Sequence, residues 1–511
     1  MNTNGTRTLA IRFALVLLVA SLPYAFGWLT VPPDRAYVGL MADVPDHAQY
    51  WAWVTASERS LFISNTLTPE PNAPVFVNAW MYLLAQLRRL SGLSFPALFQ
   101  LWRIASTFLL VSGLHVFSRT VATRPRTQDL VFWVSLLASG FGWVLVLYKK
   151  LGGLADVPFP NDVYLFETNS WWAVFAYPYV ALAQGLLIWT FTGVLWSERG
   201  DRARGAAVAI ASALGVAAFH AYDLISVYAV LCTYVLVEIV RLRAWPWRLI
   251  ALTAAIGFLT APIALYYQLL TLNDPLWQSI LSQYANAGVV TPPGLHLVIL
   301  VGVPLLLAPF GAKRIEGEPL PRLILVWAVV GGLIPFIPTV YQVKLLTGWQ
   351  FPLALLAARA WIHWTAGDAS TDGSLRRPVL AGPLASAALL VLVIPTNLYL
   401  FAWRFVDLGR YDRPFFLQRD ELSALDWLAR HTRSTDVVLA PLAVGQFVPS
   451  YGRTRAYLAH WAMTNRFFER SKGADRFFDP NQDAGIRRRI LDDDGVTFVL
   501  ATRTEALGAG T

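Results

Sequence analysis

Long apolar segments alternate with short polar ones along most of the chain. A helix needs about 20 apolar residues to cross the hydrocarbon core of a bilayer, at about 1.5 Å per residue. Two of the apolar segments, around 205–240, are separated only by a break at 220–223 and are read as two helices or as one bent element. In all, the pattern predicts about eleven transmembrane helices, at approximately 9–31, 97–118, 129–148, 173–196, 205–221, 223–240, 248–270, 294–311, 322–341, 345–361 and 379–402.

The first apolar segment follows Arg7 and Arg12 and continues to about residue 31. It is long for the apolar region of a cleaved signal, and no small-residue cleavage site follows it. We therefore expect it to be retained as the first transmembrane helix.

Composition also indicates a membrane protein. Of the 511 residues, 56% are hydrophobic and only 14% are charged, whereas soluble domains carry roughly 25% charged residues. The net charge of +9 does not indicate nucleic-acid binding, because the basic residues lie in short loops between apolar segments. With Cys232 as its only cysteine, the chain cannot form an intramolecular disulfide.

The distribution of basic residues predicts the orientation. Cytoplasmic loops of membrane proteins are enriched in lysine and arginine. With the N-terminus in the cytoplasm, every predicted inner loop has at least two basic residues. The outer loops at 221–222 and 271–293 have none, although 149–172 begins with Lys149 and Lys150. The predicted inner-loop residues are Arg119, Arg124, Arg126, Arg199, Arg202, Arg204, Arg241, Arg243, Arg248, Lys313, Arg314, Arg322, Arg376 and Arg377. We expect a multi-pass protein of the plasma (inner) membrane with an extracytoplasmic C-terminus.

Two domains are predicted. Residues 1–402 form the transmembrane domain, whose first outer loop, 31–96, contains an amphipathic helix in NAPVFVNAWMYLLAQLRRL and should lie folded on the membrane interface. Residues 403–511 form a small extracytoplasmic α/β domain, with helices in RDELSALDWLARHT and GIRRRILDDDG and strands in DVVLA and VTFVLA. The pattern does not show the paired broken helices that mark many secondary transporters.

The stretch MADVPDHAQYWAWV (41–54) places Asp43, Asp46 and His47 in the first outer loop. One interpretation is helix capping, since Pro45 suits a first helical turn and acidic residues complement the helix dipole. The other is chemistry: a carboxylate can act as a general base that removes a proton from an attacking hydroxyl. Two carboxylates are too few to specify a divalent cation.

Other unusual polar residues fall on the same predicted outer side. Asp162 and Glu167 are in the second outer loop, and His220 and Asp223 are at the next outer turn. The last pair either satisfies itself locally or contacts a phosphate or sugar. In the tail, His431 and His460 are expected to be surface or packing residues, and no glycine-rich phosphate loop, zinc-ligand cluster or nucleophile elbow is present.

Two cations complete the set. Arg103 lies about two turns into the second predicted span, where an ionisable residue usually faces a cavity or a partner. Lys344 lies near a later outer turn and either snorkels to the interface or binds a phosphate.

The pattern resembles the integral-membrane glycosyltransferases of the GT-C superfamily, in which a first helix precedes a long outer loop with an acidic motif. MADVPDHAQYWAWV occupies the place of that motif, and the stretches TPEPNAPVF, LWRIAS, FGWVL, FHAYDLISVYAV and AYLAHWAMT are similar to those of bacterial GT-C-like proteins. The resemblance implies a sugar donor on a polyprenyl phosphate, used outside the cytoplasm, with Asp43 or Asp46 as the general base.

The substrate-binding residues are predicted from their positions on the outer side and not from the resemblance, and Arg103, His220 and Lys344 are candidates for the lipid phosphate. The full predicted set is His47, Arg103, Asp162, Glu167, His220, Asp223 and Lys344. The expected partners are a lipid-linked sugar, membrane lipids and a glycan, lipid or protein acceptor. No cofactor is required, and a divalent cation is left open. Two alternatives are a transporter or lipid flippase, and a catalytically silent scaffold whose tail binds a partner.

Overall fold

The computed structural model describes residues 3–154, 159–283, 290–313, 319–366 and 382–502. The predicted inner-loop residues Arg314, Arg376 and Arg377 and the first residues of the last predicted span, 379–381, lie outside these ranges. The helices are α1 (Thr3–Leu29), α2 (Val44–Ser57), α3 (Ala79–Ser91), α4 (Phe95–Val121), α5 (Pro125–Leu137), α6 (Gly142–Leu151), α7 (Ser170–Ala176), α8 (Pro178–Glu198), α9 (Arg202–Phe219), α10 (Leu224–Leu242), α11 (Trp247–Asn273), α12 (Pro275–Gln283), α13 (Gly294–Val301), α14 (Val303–Gly311), α15 (Arg322–Leu333), α16 (Gln350–Ala366), α17 (Gly382–Val393), α18 (Pro395–Leu408), α19 (Arg419–His431), α20 (Leu442–Gly445), α21 (Phe467–Phe478) and α22 (Ala484–Asp493). The strands are β1 (Arg35–Tyr37), β2 (Phe416–Gln418), β3 (Val437–Leu439), β4 (Arg455–Ala456) and β5 (Phe498–Val499).

The protein is a mostly helical multi-pass membrane protein. Within the described ranges, six helices are long and apolar enough to cross a membrane, and the number rises to nine if each of three bent pairs is one span. This is fewer than the eleven spans predicted. The ninth and tenth predicted spans, 322–341 and 345–361, account for the difference. Helix α15 ends at Leu333 after 12 residues, shortly before Pro335, and α16 has only 17 residues.

Three predicted spans are broken helices, so the expectation that the chain lacks them was wrong. The pair α5–α6 bends by 43°, α13–α14 by 97° and α17–α18 by 59°. Gly302 separates α13 from α14 at φ +69°, a conformation that glycine adopts without steric cost. Pro395 begins α18 and lacks the N–H that would continue α17.

The chain forms two compact units, which are described separately. Unit 1 comprises Met1–Ser21, Trp102–Leu265 and Val289–Trp403, and unit 2 comprises Leu22–Leu101, Tyr266–Gly288 and Arg404–Thr511. The predicted domain boundary after residue 402 stays a prediction.

Unit 1 contains most of the apolar helices. Its core includes Phe117, Phe132, Phe191 and Phe351, which are fully buried. Helices α8 and α9 pack closely because Gly193 lies against the α9 backbone at Gly205 and Ala209, where a Cβ atom would not fit. Large apolar side chains also remain exposed, as expected of helices that face lipid.

Unit 2 combines the predicted first outer loop with the tail. Strand β1 of the loop pairs antiparallel with β2 of the tail, while β4, β3 and β5 form a parallel sheet in that order. The helices and strands predicted in the tail are therefore confirmed as α19, β3, α22 and β5. The predicted amphipathic helix is α3, which buries Met81, Leu84 and Ala85 and exposes Leu83, Leu87 and Leu90.

Candidate functional site

Asp43 occupies the N-cap position of α2 in unit 2. Its backbone is left-handed, at φ 41° and ψ 55°, and its side chain makes no capping hydrogen bond. A left-handed conformation costs most residues roughly 1–2 kcal/mol, although aspartate tolerates it better than others. The capping interpretation of the Asp43 carboxylate therefore fails, and the backbone strain at this position needs another reason.

The backbone around Asp43 is held on both sides. Arg404 donates a hydrogen bond to the carbonyl of Met41 at 2.9 Å and forms a 2.9 Å ion pair with Asp407. On the other side, Nδ1 of His47 donates to the carbonyl of Asp43 at 2.8 Å. His47 is buried with its ring against Phe99, at 5.1 Å between centroids, so the predicted substrate-binding residue shapes the turn that carries Asp43.

Asp46 lies one turn further along α2 and contacts the tail. Its Oδ1 accepts a hydrogen bond from Nε2 of His460 at 2.8 Å. Nδ1 of His460 accepts from the N–H groups of Ala462 and Met463, at 3.2 and 3.3 Å. Because peptide N–H groups can only donate, the ring hydrogen must be on Nε2, where it faces Asp46. The Asp46 side chain is 24% exposed and that of His460 only 3%, so a buried histidine orients a solvent-accessible carboxylate.

In unit 1, four of the predicted site residues lie together. Nζ of Lys344 forms a 2.9 Å ion pair with Oε1 of Glu167, whose side chain is only 2% exposed. The ammonium also lies 4.6 Å from the ring centroid of Phe166. Lys344 lies on a short 3₁₀ turn, Gln342–Leu346, and its side chain is 21% exposed. Its charge is therefore partly neutralised and partly available at the surface of the cluster.

His220 and Asp223 complete this cluster. Nδ1 of His220 hydrogen-bonds to Oδ2 of Asp223 at 2.7 Å, and its Nε2 to the hydroxyl of Tyr222 at 2.5 Å. The ring of Tyr179 packs 4.6 Å from that of His220. Asp223 also interacts electrostatically with Glu167 and Lys344. His220 and Asp223 thus hydrogen-bond to each other. They also belong to a larger cluster that contains the Lys344 cation and aromatic side chains.

Asp162 is elsewhere in unit 1 and has a structural position. Its Oδ2 accepts hydrogen bonds from the N–H of Gly142, at the start of α6, and from the hydroxyl of Thr396, at 2.8 and 3.0 Å. The side chain is buried. Burial raises the pKa of the Asp162 carboxyl to about 6, although the hydrogen bonds from Gly142 and Thr396 act in the opposite direction. The residue therefore caps a helix inside the protein.

The three broken helix pairs meet around Asp162. Ser139, in the α5–α6 break, donates from its N–H to the carbonyl of Val393 at the end of α17, at 2.7 Å. Phe141 donates to the carbonyl of Ile299 in α13, also at 2.7 Å. These contacts satisfy backbone groups that the breaks release, and they leave a cavity of about 10 Å³ lined by Asp162, near the smallest volume that holds one water.

Arg103 lies on α4 and is buried. Its guanidinium donates to the hydroxyl of Ser21 on α1 at 2.8 Å. The expectation that an ionisable residue inside a span has a partner is confirmed by this contact. A role in phosphate binding stays a prediction.

Sequence reasoning missed two contributors to the site. Arg404 gave no pattern that would connect it with residue 41, and His460 was expected to be a surface or packing residue. His460 does lie in AYLAHWAMT, one of the stretches that carry the GT-C resemblance. Within the described ranges, no group of three histidine, cysteine, aspartate or glutamate side chains is arranged to hold a metal ion.

Comparison with known proteins shows the fold. The sequence matches no protein-family model and no curated protein at a significant level. The structure is similar to the apo oligosaccharyltransferase of Archaeoglobus fulgidus, with a TM-score of 0.54 and 12% identity over 96% of this chain and 69% of that chain. Weaker overlaps occur with apo ArnT from Cupriavidus metallidurans (TM-score 0.49, 13% identity, 89% of this chain and 88% of that one) and with the mycobacterial arabinofuranosyltransferase AftD (0.46, 15%, 89% and 33%).

The chain therefore has the fold of the GT-C membrane glycosyltransferases, as the sequence resemblance implied. The likeness covers nearly the whole chain at an identity too low to transfer individual residues. The roles of the site residues must be argued from their own geometry.

Proposed function

We propose that the chain is a membrane glycosyltransferase that moves a sugar from a polyprenyl-phosphate donor to an extracytoplasmic acceptor. The acceptor hydroxyl attacks the anomeric carbon with inversion, its proton passes to Asp43 or Asp46, and the bond from carbon to the phosphate oxygen breaks. Polyprenyl phosphate leaves with the electron pair of that bond. The GT-C fold supports this reaction class.

One observation carries the assignment of the base: Asp43 occupies the N-cap position of α2, yet its carboxylate makes no capping hydrogen bond. Asp46 lies in the first turn of α2 and is hydrogen-bonded to His460. A helix start that only required capping would use the N-cap carboxylate on the free N–H groups of the first turn. Strained backbone and a carboxylate oriented by a buried partner are typical of functional sites.

In unit 1, we assign the donor phosphate to the cluster of Lys344, His220 and Tyr222. Lys344 supplies a cation that is accessible at its surface. Hydrogen-bonding groups around a fixed positive charge suit a phosphate, whose negative charge grows as the sugar leaves. Glu167 holds the Lys344 ammonium in place when no donor is bound.

The test uses the purified full chain with a panel of polyprenyl-phosphate sugars, with release of polyprenyl phosphate as the readout. Asp43→Asn and Asp46→Asn keep the side-chain volume, and asparagine also tolerates the left-handed backbone at 43. Loss of a general base should lower kcat by about 10²–10⁴-fold. Asp34→Asn, an exposed carboxylate of the same loop, is the matched control and should stay active. Full activity of both Asp43→Asn and Asp46→Asn contradicts the assignment.

A specific observation favours a transporter or flippase as the second candidate. Discontinuous helices that meet around a buried carboxylate are a common feature of transporter sites, and three bent pairs meet at Asp162. Uptake of a lipid-linked sugar into proteoliposomes without any covalent product supports this alternative. Release of free polyprenyl phosphate by the wild-type chain supports the transferase.

A further inference from the structure

A cavity of about 610 Å³ opens in unit 1 where five helices end. Helices α8 and α10 finish at its wall, and α9, α11 and α15 begin there. We call it the arginine pocket, because five arginines line it, namely Arg199, Arg202, Arg241, Arg248 and Arg322. All five belong to the loops that the positive-inside pattern predicts to be cytoplasmic, so the pocket lies on the predicted inner side.

The positive charge of the pocket is only partly compensated, because its lining has five arginines but only two glutamates, Glu198 and Glu238. Glu238 is buried and accepts hydrogen bonds from Arg241, at 2.6 Å to Nη2, and from Arg322, at 2.5 Å to Nε. Within the described part of the chain, Arg202 and Arg248 form no ion pair, and both are exposed. The pocket therefore has two arginines whose charge is available to a ligand, beside two that a glutamate holds in place.

Helix polarity adds to this charge. The N-terminal ends of α9, α11 and α15 all line the pocket, and these helices have 18, 27 and 12 residues. The first peptide N–H groups of a helix have no partner within it and carry a partial positive charge, which favours bound anions and phosphate in particular. The C-terminal ends of α8 and α10 carry the opposite partial charge, so the arginines, together with the excess of N-terminal over C-terminal ends, favour an anionic ligand.

The rest of the lining is apolar and selects an amphiphile. Leu195, Leu242, Leu249 and Leu252 form part of the wall. Trp247 at the rim stacks on Trp245 at 5.8 Å, and these indoles are 69% and 62% exposed. Exposed tryptophans are enriched at the boundary between bilayer and water. A phosphate attached to acyl chains satisfies both parts of the lining, whereas free phosphate satisfies only the arginines.

We propose that the arginine pocket binds the headgroup of an anionic phospholipid, with Arg202 and Arg248 on the phosphate and the leucines against the first acyl carbons. This ligand and this place are separate from the donor site proposed above, and the inference stands whether or not the chain transfers sugar. Basic pockets between transmembrane helices on the cytoplasmic side are known to hold such headgroups.

Native mass spectrometry of the detergent-purified full chain tests the proposal by counting bound lipid during titration with phosphatidylglycerol or phosphatidylcholine. An arginine near an anionic lipid contributes roughly a fivefold gain in binding. Arg202→Gln/Arg248→Gln should therefore lower the affinity for phosphatidylglycerol by about 30-fold. The control, Arg119→Gln/Arg124→Gln, changes two arginines of another predicted inner loop that do not line the pocket and should bind like the wild type.

Equal affinity of the wild type and the pocket variant for phosphatidylglycerol overturns the proposal, as does equal binding of phosphatidylcholine. Displacement of the lipid by millimolar inorganic phosphate overturns it in favour of a free-anion site. If the double variant does not purify, Arg248→Gln alone makes the same test at an exposed position of the first turn of α11, with an expected loss of about fivefold.

Discussion

Asp46 and His460, 414 residues apart in the chain, are joined by a 2.8 Å hydrogen bond. The backbone N–H groups of Ala462 and Met463 fix the ring so that its hydrogen points at the carboxylate. A residue of the tail thereby sets the direction of an acidic side chain in the predicted first outer loop. His460 is a positioning residue, since in this arrangement it acts on a substrate only through Asp46.

His460→Phe should lower kcat by about tenfold, the value of one lost hydrogen bond to a charged group, with little change in KM. The variant also leaves two peptide N–H groups without their acceptor, at a stability cost of about 1–3 kcal/mol. His460→Gln keeps a donor of similar reach and should recover most of kcat. Kinetics of transfer per folded molecule measure this, and unchanged kcat in His460→Phe would show that the bond serves only folding.

Glu167 and Lys344 should behave as a coupled pair. Removing the ammonium in Lys344→Gln leaves a carboxylate that is 2% exposed without its cation, at a cost of about 3–5 kcal/mol. The double variant Glu167→Gln/Lys344→Gln removes both charges and should recover most of that stability. Thermal unfolding of the four chains in detergent measures the coupling.

The same double variant separates packing from binding. If Lys344 holds the donor phosphate, the double variant folds normally but has a higher KM for the polyprenyl-phosphate sugar. A normal KM in a stable double variant would restrict the pair to a structural role.

Asp162 should make stability depend on pH. Its pKa is raised by burial to about 6 from the usual 3.8, so the folded chain retains the proton when the unfolded chain has lost it. Between about pH 4 and pH 6 the unfolded state ionises first, and the stability contribution of Asp162 falls as the pH rises, by roughly 3 kcal/mol in all. The stability contribution of Asp162 is fully present below about pH 4 and lost above about pH 6.

Asp162→Asn cannot ionise, yet its amide oxygen can still accept from Gly142. The melting temperature of the variant relative to wild type should therefore rise between pH 4 and pH 7. Thermal unfolding across this range checks the sign. A difference that is flat with pH, or a KM effect without any stability effect, would indicate that Asp162 contacts substrate instead.

Gly142→Ala should prevent folding, because the added Cβ would lie 1.8 Å from Oδ1 of Asp162 and the helix start cannot retreat without losing its cap. The matched control is Gly257→Ala on α11, where nothing lies within 4 Å of the new atom. That change should be neutral or stabilise by up to about 1 kcal/mol, since alanine favours helix. Yield of monodisperse protein and its melting temperature compare the two, and a well-folded Gly142→Ala would contradict the close approach described here.

Sequence periodicity located the apolar helices because spanning a bilayer demands a length and a composition that are both local properties. It predicted the apolar segments near α13–α14 and α17–α18 but not their bends of 97° and 59°. Whether a glycine or proline breaks a helix depends on partners for the released backbone groups, such as Val393 for Ser139. Val393 lies 254 residues from Ser139 in the chain.

The sequence by itself determined the class of protein, the predicted orientation and the set of unusual polar residues, since charge is scarce wherever hydrocarbon surrounds the chain. Only the tertiary structure decided which of these polar residues contact each other. It removed the capping role from the carboxylate of Asp43, gave Asp162 a buried helix end, gathered Glu167, His220, Asp223 and Lys344, and brought His460 to Asp46. Such pairings depend on long-range packing, which sequence spacing does not record, because a hydrogen bond requires a distance near 3 Å and a direction.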